Sequence, residues 1–127
     1  MKVVIVEPMC SPRIAEIEES LETYQKIVDG WIECIYPFND SVGLVCNEEA
    51  KLNNFLPNRA LFDDNGEIYD IIFGTFFVVG LGEEDFRGLT DEQAKRYMDY
   101  YREPQMFVRK GRKVIAVPVP TFDEVRK

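Results

Sequence analysis

Short apolar runs, each stopped by Gly, Pro, Asn or Asp, are the feature of this sequence that most constrains its fold. The runs are rich in β-branched and aromatic residues and span about five residues each, which is typical of β-strands. Asn65-Gly66 lies between two of them, and Asn-Gly in that position is the strongest short-range signal for a β-hairpin. The sequence therefore predicts a sheet of short strands joined mostly by tight turns.

Six strands are predicted before the second helix, and the first of them is expected to be buried on both faces. They cover residues 2–6, 31–36, 42–46, 60–62, 67–72 and 74–79. The last of these is also compatible with a short buried helix, but its aromatic and β-branched content favours a strand. Asn47 is placed to cap a single helical turn over residues 47–52.

Two segments have helical spacing. The first begins at Ser11-Pro12, a cap followed by proline at the first helical position, and ends before Gly30. Its apolar face consists of Ile14, Ile17, Leu21, Tyr24 and Val28. The second begins with a capping box at residues 90–93 and ends before Pro104. Its apolar face consists of Ala94, Tyr97, Met98 and Tyr101.

A basic turn at Lys110-Gly111 joins two further apolar runs, 106–108 and 114–117, and predicts a C-terminal hairpin. Its four basic side chains, at 109, 110, 112 and 113, are more typical of protection against edge-to-edge aggregation than of a phosphate site. The 127 residues suffice for one domain. We therefore predict a single α+β domain over residues 1–127, with a mainly antiparallel sheet, two amphipathic helices and this hairpin.

The composition excludes several chemistries. The chain has no histidine, which removes the usual general base near neutral pH and the commonest zinc ligand. Cys10, Cys34 and Cys46 form no CxxC pair, so we expect no metal site and no cofactor. Cys34 and Cys46 fall in predicted strands and are interpreted as small buried hydrophobes, whereas Cys10 in a loop remains a candidate reactive thiol.

Charge and hydropathy limit the partners and the compartment. The formal charge of −8 argues against direct nucleic-acid binding, because phosphate attraction needs the opposite sign. The longest uncharged stretch, residues 71–82, is too short for a membrane helix, and the apolar run at residues 3–6 is too short for an export signal. We expect a protein of the host-cell cytoplasm. The charge is also bipolar, since residues 1–101 carry 20 acids and 8 bases and residues 102–127 carry 3 and 7.

Four segments, in this order, carry a resemblance to a known family. They are 36–38 (YPF), 44–49 (LVCNEE), 56–61 (LPNRAL) and 66–77 (GEIYDIIFGTFF). Together they resemble domain of unknown function 3846, a family of small proteins carried by phages and conjugative elements of bacteria. The resemblance covers residues 1–98 and leaves residues 99–127, the helix end and the basic hairpin, outside. It implies a genomic setting and no reaction, and it assigns no catalytic residue.

Arg59 is the first candidate site residue. Its guanidinium is expected either to pair internally with Asp70 across the hairpin or to bind a carboxylate or phosphate. If the protein binds a small anionic ligand, such as a nucleotide, we expect Asn47, Asn58, Arg59 and Thr75 to line the pocket, assisted by backbone amides near Gly74.

The second candidate is an acidic face. The residues assigned to it are Glu16, Glu18, Glu19, Glu22, Glu48 and Glu49, and further acidic clusters lie at 63–64, 83–85 and 91–92. If several of these converge, they imitate the charge spacing of a nucleic-acid backbone and can occupy a basic groove of a host protein. The alternative is a set of scattered, solvated acids.

Three functions follow from these readings. The first is a non-enzymatic accessory protein of a mobile element that binds a host protein, with a counter-defence role. The second is a protein that binds or sequesters a small anionic ligand, and the third is a histidine-free enzyme that uses carboxylates or Cys10.

Tyr100 and Tyr101 are adjacent, so a helix buries only one of them, and an exposed tyrosine beside Met98 or Met106 would suit a partner interface or a homodimer.

Overall fold

The computed structural model describes residues 1–121. The strands of its main sheet are β1 (Lys2–Val6), β2 (Arg13–Glu16), β3 (Ile32–Ile35), β4 (Val42–Asn47), β7 (Phe76–Leu81) and β8 (Phe86–Arg87). They lie in the order β2-β1-β7-β4-β3, and β8 pairs with the end of β7; all of these pairings are antiparallel. Two separate hairpins are β5 (Pro57–Phe62) with β6 (Ile68–Phe73), and β9 (Gln105–Lys110) with β10 (Lys113–Pro118).

β7 is the central strand because its side chains are apolar on both faces. Phe76 and Val78 enter one core, whereas Phe77 and Val79 enter the other. The first core is covered by the β5–β6 hairpin and by helix α2 (Asp91–Tyr100), and the second is covered by helix α1 (Leu21–Val28). The choice of a strand for this segment is thus confirmed, and residues 1–121 form a three-layer α+β arrangement around one sheet.

The first helix is shorter than predicted. Ser20 rather than Ser11 is its N-cap, and the Ser20 hydroxyl accepts a hydrogen bond from the Thr23 amide (3.2 Å). Residues 13–16 form β2, which pairs with β1 and occupies an edge that would otherwise be open. The helical spacing of Ile14 and Ile17 was therefore misleading, because the tertiary pairing of β2 overrides local periodicity.

Helix α2 follows the prediction closely. The Thr90 side chain accepts from the Gln93 amide and the Gln93 side chain accepts from the Thr90 amide, which completes the predicted capping box. Tyr101 is buried at the helix end and Tyr100 is exposed, as their adjacency required. No helix within residues 1–121 is long and apolar enough to span a bilayer.

Both predicted hairpins are present. The Asp63 carboxylate accepts from the amides of Asn65 and Glu67 at 2.9 Å and closes the Asn65-Gly66 turn, where Gly66 has a φ of +77°. The C-terminal hairpin turns at Gly111, as expected, while the part of the predicted domain beyond residue 121 lies outside the described residues. Residues 48–54 form turns. Within them the Asn53 amide donates to the Glu49 carbonyl (3.0 Å) and the Asn47 side chain accepts from the Glu49 amide (2.7 Å), so the predicted single turn capped by Asn47 is present and continues slightly beyond residue 52.

Candidate functional site

Arg59 lies on β5 and is completely buried. Its Nε and Nη2 donate to the Tyr101 carbonyl (3.3 and 2.9 Å), and Nη2 also donates to the Cys10 carbonyl (2.8 Å). Nη1 donates to Asn58 Oδ1 (2.9 Å). The predicted pair with Asp70 is wrong, because Asp70 binds Lys51 (2.6 Å) and faces solvent while the guanidinium points into the core.

Every acceptor that the buried guanidinium has within residues 1–121 is a neutral oxygen. Burial lowers the pKa of Arg59 from 12.5 to about 10, so the group is still charged at neutral pH. Its hydrogen bonds join β5 to the loop after β1 and to the end of α2, three segments that are far apart in the chain. Arg59 therefore acts as a cross-link, and four of its five N–H donors are already used.

Asn58 completes this cross-link. Its Nδ2 donates to the carbonyls of Val6 (2.9 Å) and Gly74 (2.8 Å), and its Oδ1 accepts from Arg59. We refer to Asn58, Arg59 and the carbonyls that they bind as the polar node. The predicted ligand-binding residues Asn58 and Arg59 are thus brought together, but as structural partners of each other.

The other two predicted ligand-binding residues lie elsewhere. Asn47 Nδ2 donates to the carbonyls of Val28 (3.1 Å) and Asp29 (2.9 Å) and caps the C-terminus of α1. A Cβ on Gly30 would lie 2.6 Å from Asn47 Nδ2, so this cap requires a glycine there. Thr75 is half-buried and lines a shallow groove together with Gly74. These four residues do not line a common cavity among those of the described chain.

The predicted acidic face is divided between the two ends of α1. Glu19 precedes the N-terminus of the helix, whereas Glu48 and Glu49 follow Asn47, which caps its C-terminus. A helix of this length spans about 12 Å. Glu16 lies 3.5 Å from the amino terminus, and Glu22 pairs with Lys26 at 3.9 Å, so part of this charge is compensated.

A groove of about 820 Å³ gathers a different set of acids. We call it the acidic groove; it lies between the N-terminus of α1 and the β7–β8 turn. Its carboxylates are Glu19, Glu83, Glu84 and Asp85, and its aromatic residues are Tyr24, Tyr36 and Phe86. No Lys or Arg lines it, and none of its four acids forms an ion pair with any residue in the range 1–121.

The aromatic floor of the acidic groove is formed by Tyr24, Tyr36 and Phe86, and Tyr36 lies beside a close approach of β3 and β4 at Gly43. A Cβ there would lie 2.7 Å from Cys34 Sγ and 3.3 Å from Leu81 Cδ2, and the Tyr36 ring lies beside the same position. Tyr24 packs against Phe86 with ring centroids 5.5 Å apart. Burial raises the pKa of Tyr24, and the charges of Glu19 and Asp85 raise it further, which reflects how close these acids lie to the ring.

The sequence identified residues 83–85 as acidic but did not join them to Glu19 or to an aromatic floor. The signal that could have indicated the groove is Gly43 within an otherwise apolar strand, since a glycine there often marks a close approach. The contribution of Tyr36 to the groove had no such signal, since its 64% exposure is visible only in the structure.

Two of the three thiols, Cys34 and Cys46, are held in the protonated form. Burial, reinforced by Glu33, raises the pKa of Cys46 to about 12, and burial also raises the pKa of Cys34, so both thiols stay protonated. No Asp or Glu side chain among residues 1–121 is buried. In the same part of the chain, no group of His, Cys, Asp and Glu is arranged to hold a metal ion.

Comparison with models of protein families identifies the family of this chain. Residues 1–102 match the model of a family described as a domain of unknown function (DUF3846). The chain belongs to this family. The matched residues include the whole polar node and the whole acidic groove, and they end just after Tyr101, before the β9–β10 hairpin. No curated protein and no solved structure matches the chain significantly.

Proposed function

We propose that this protein acts by binding, without transforming its partner, and that the acidic groove holds a basic segment of a host protein. The observation that carries the proposal is the set of four carboxylates that lie beside aromatic residues and have no cationic partner within residues 1–121. Such a surface attracts Lys and Arg side chains electrostatically and can also stack them on aromatic rings.

The proposed setting is a phage or a conjugative element, in which the protein is an accessory factor of the host cytoplasm. An acidic module that covers a basic surface of a host protein blocks whatever anionic partner that surface normally binds. A counter-defence role follows if the blocked surface belongs to a defence protein that binds nucleic acid.

Two further features support binding over the other functions considered. The donors of Arg59 are largely used inside the polar node, so an anionic ligand would have to displace backbone carbonyls. General acid catalysis without histidine favours a buried carboxyl group with a raised pKa. No Asp or Glu among residues 1–121 is buried, and the pKa of the partly buried Asp40 is lowered instead.

The test is a comparison of two matched double variants. Glu83→Gln/Glu84→Gln removes two adjacent charges from the acidic groove, and Glu48→Gln/Glu49→Gln removes two adjacent charges at the opposite end of α1. Each protein is used as bait for host lysate at low and high salt. Peptides that correspond to the basic segments of the captured protein are then synthesised, and their binding to each of the three proteins is measured by calorimetry.

We expect the wild-type and the Glu48→Gln/Glu49→Gln baits to retain the same host protein, and the groove variant to lose it. Binding of the basic peptide should weaken about tenfold or more in the groove variant and should fall steeply with salt. Equal capture by both variants would show that net charge rather than the groove attracts the partner. Turnover of a captured small molecule would contradict a purely binding role.

A further inference from the structure

The β9–β10 hairpin is an incomplete sheet. It is attached to the rest of the chain by few contacts: Gln105 Oε1 accepts from the Ala60 amide (2.8 Å), and Lys113 pairs with Glu67 (2.9 Å). β9 and β10 form a two-stranded sheet, so the outer edge of β10 has no strand partner among residues 1–121. An unpaired edge presents a row of free backbone donors and acceptors.

This edge is apolar as well as unpaired. Ile115 lies opposite Val108 and Val117 lies opposite Met106, so the four side chains share one face of the hairpin. They are between 37% and 53% exposed. Beside the edge, a groove of about 890 Å³ separates β10 from β6. Tyr69, Ile71 and Phe73 give it an apolar wall, and charged side chains, among them Asp70 and Arg112, border it.

Positive and negative charges lie at opposite ends of the hairpin. At the tip, Arg109, Lys110 and Arg112 make no ion pair within residues 1–121. At the base, Asp99 and Glu103 share a single cation, Arg102 (3.5 and 3.9 Å). The hairpin is therefore positive at its tip and negative at its base, which is the pattern that two antiparallel copies would neutralise in each other.

We propose that two copies of this chain pair through β10, antiparallel, to form a four-stranded sheet in the order β9-β10-β10-β9. Antiparallel pairing places each basic tip beside the acidic base of the other copy, whereas parallel pairing would bring the two tips together. The interface is isologous, because each copy contributes the same strand to the same groove of the other. Between Lys113 and Pro118, β10 contains only uncharged residues, so no charge of β10 itself opposes the pairing of two copies along this stretch.

The decisive experiment compares two matched variants of the full chain by sedimentation velocity over a concentration series. Ile115→Lys/Val117→Lys alters the free edge strand β10, and Met106→Lys/Val108→Lys alters the same face on the inner strand β9. We expect a wild-type dimer, a dissociation constant raised about tenfold or more in the β10 variant, and a much smaller change in the β9 variant. Thermal unfolding of each variant checks that the domain is folded.

Other results would overturn the proposal. A wild-type chain that stays monomeric at every concentration would leave the edge to a different partner. Equal dissociation of both variants would indicate face-to-face stacking instead of edge pairing. Glu103→Lys provides a charge test, since it should weaken the dimer while leaving the unfolding transition unchanged; a dimer that is indifferent to this substitution and to salt would contradict the antiparallel arrangement.

Discussion

The polar node and the acidic groove both contain charged residues, but the environments of these charges are opposite. In the polar node, the Arg59 guanidinium is fully buried and is bound by three oxygen acceptors of the chain. In the acidic groove, four carboxylates are exposed and have no cationic partner within residues 1–121. The comparison separates charge that holds the fold from charge that is available to a partner.

The two regions differ in whether their charged groups are hydrogen-bonded within the chain. A buried polar group whose donors are used by the chain costs free energy to remove, whereas an exposed like-charged group costs free energy to keep. Substitutions in the two regions should therefore change stability in opposite directions, and the four predictions below follow from this contrast in order of decreasing effect.

Arg59→Ala should lower the free energy of unfolding by about 3–5 kcal/mol, because it leaves two backbone carbonyls and Asn58 Oδ1 without donors and opens a cavity. Urea denaturation measures the change. Arg112→Ala at the exposed hairpin tip is the control and should alter stability by about 0.5 kcal/mol or less. Similar losses in the two variants would mean that the polar node contributes no more than a surface charge.

Asn47→Ala should lower the free energy of unfolding by about 2 kcal/mol, since Val28 and Asp29 lose a donor and the Glu49 amide loses an acceptor at 2.7 Å. Asn53→Ala, in the neighbouring exposed loop, is the matched control and should be close to neutral. Amide exchange at the C-terminus of α1 should accelerate in the first variant alone. A normal exchange rate there would contradict the capping role.

The Asp40 carboxylate stabilises the fold through hydrogen bonds within the chain, and its contribution to the free energy of unfolding should depend on pH. Partial burial raises its pKa, but hydrogen bonds from Tyr97 (2.8 Å), Ser41 (2.8 Å) and Gln93 (3.2 Å) and the charge of Arg96 outweigh this and hold the pKa below 3.8. The unfolded chain therefore takes up the proton first, and the stabilisation is lost as the pH falls below about 4.

Asp40→Asn should cost about 1 kcal/mol at pH 7 and should make the loss of stability in acid shallower than in the wild-type protein. Denaturation midpoints measured between neutral and acidic pH test both expectations. Parallel curves for the two proteins would show that Asp40 has no depressed pKa in the folded state.

Glu83→Gln/Glu84→Gln should raise the free energy of unfolding slightly, by about 0.3 kcal/mol, because it relieves repulsion among the acids of the groove. The gain should disappear in high salt, where the repulsion is screened in both proteins. A loss of stability in this variant would show that Glu83 and Glu84 stabilise the fold, as Arg59 and Asp40 do. The groove would then no longer differ from the polar node in the way that the proposed function requires.

The sequence was sufficient where the signal was local. The Asn65-Gly66 turn, the capping box at Thr90 and the strand predicted at residues 74–79 all depend on neighbouring residues. All three are present, the strand at residues 76–81. The first helix was misjudged because β2 forms by pairing with β1, which no local pattern reports. The Arg59 partners were missed for the same reason, since the Cys10 and Tyr101 carbonyls are brought to it only by the tertiary fold.

The candidate site was only partly accessible from sequence. The acidic clusters were visible, but their grouping depends on which turns meet at one end of the sheet. Glu19 and residues 83–85 are more than 60 positions apart in the chain and become neighbours only when α1 packs across β7. Backbone carbonyls as the partners of a guanidinium carry no sequence signature at all.

The position of β7 between β1 and β4 also determines the order in which the domain can assemble. During synthesis, β1 and β4 emerge long before residues 76–81, and neither has its inner neighbour until β7 arrives. The hairpins β1–β2 and β3–β4 can form earlier, but the sheet that joins them is completed only by pairings of high sequence separation. Such pairings slow folding and leave apolar edges open to chaperones or to aggregation in the meantime. A ribosome-bound chain that ends before residue 76 would lack the strand that joins its two halves.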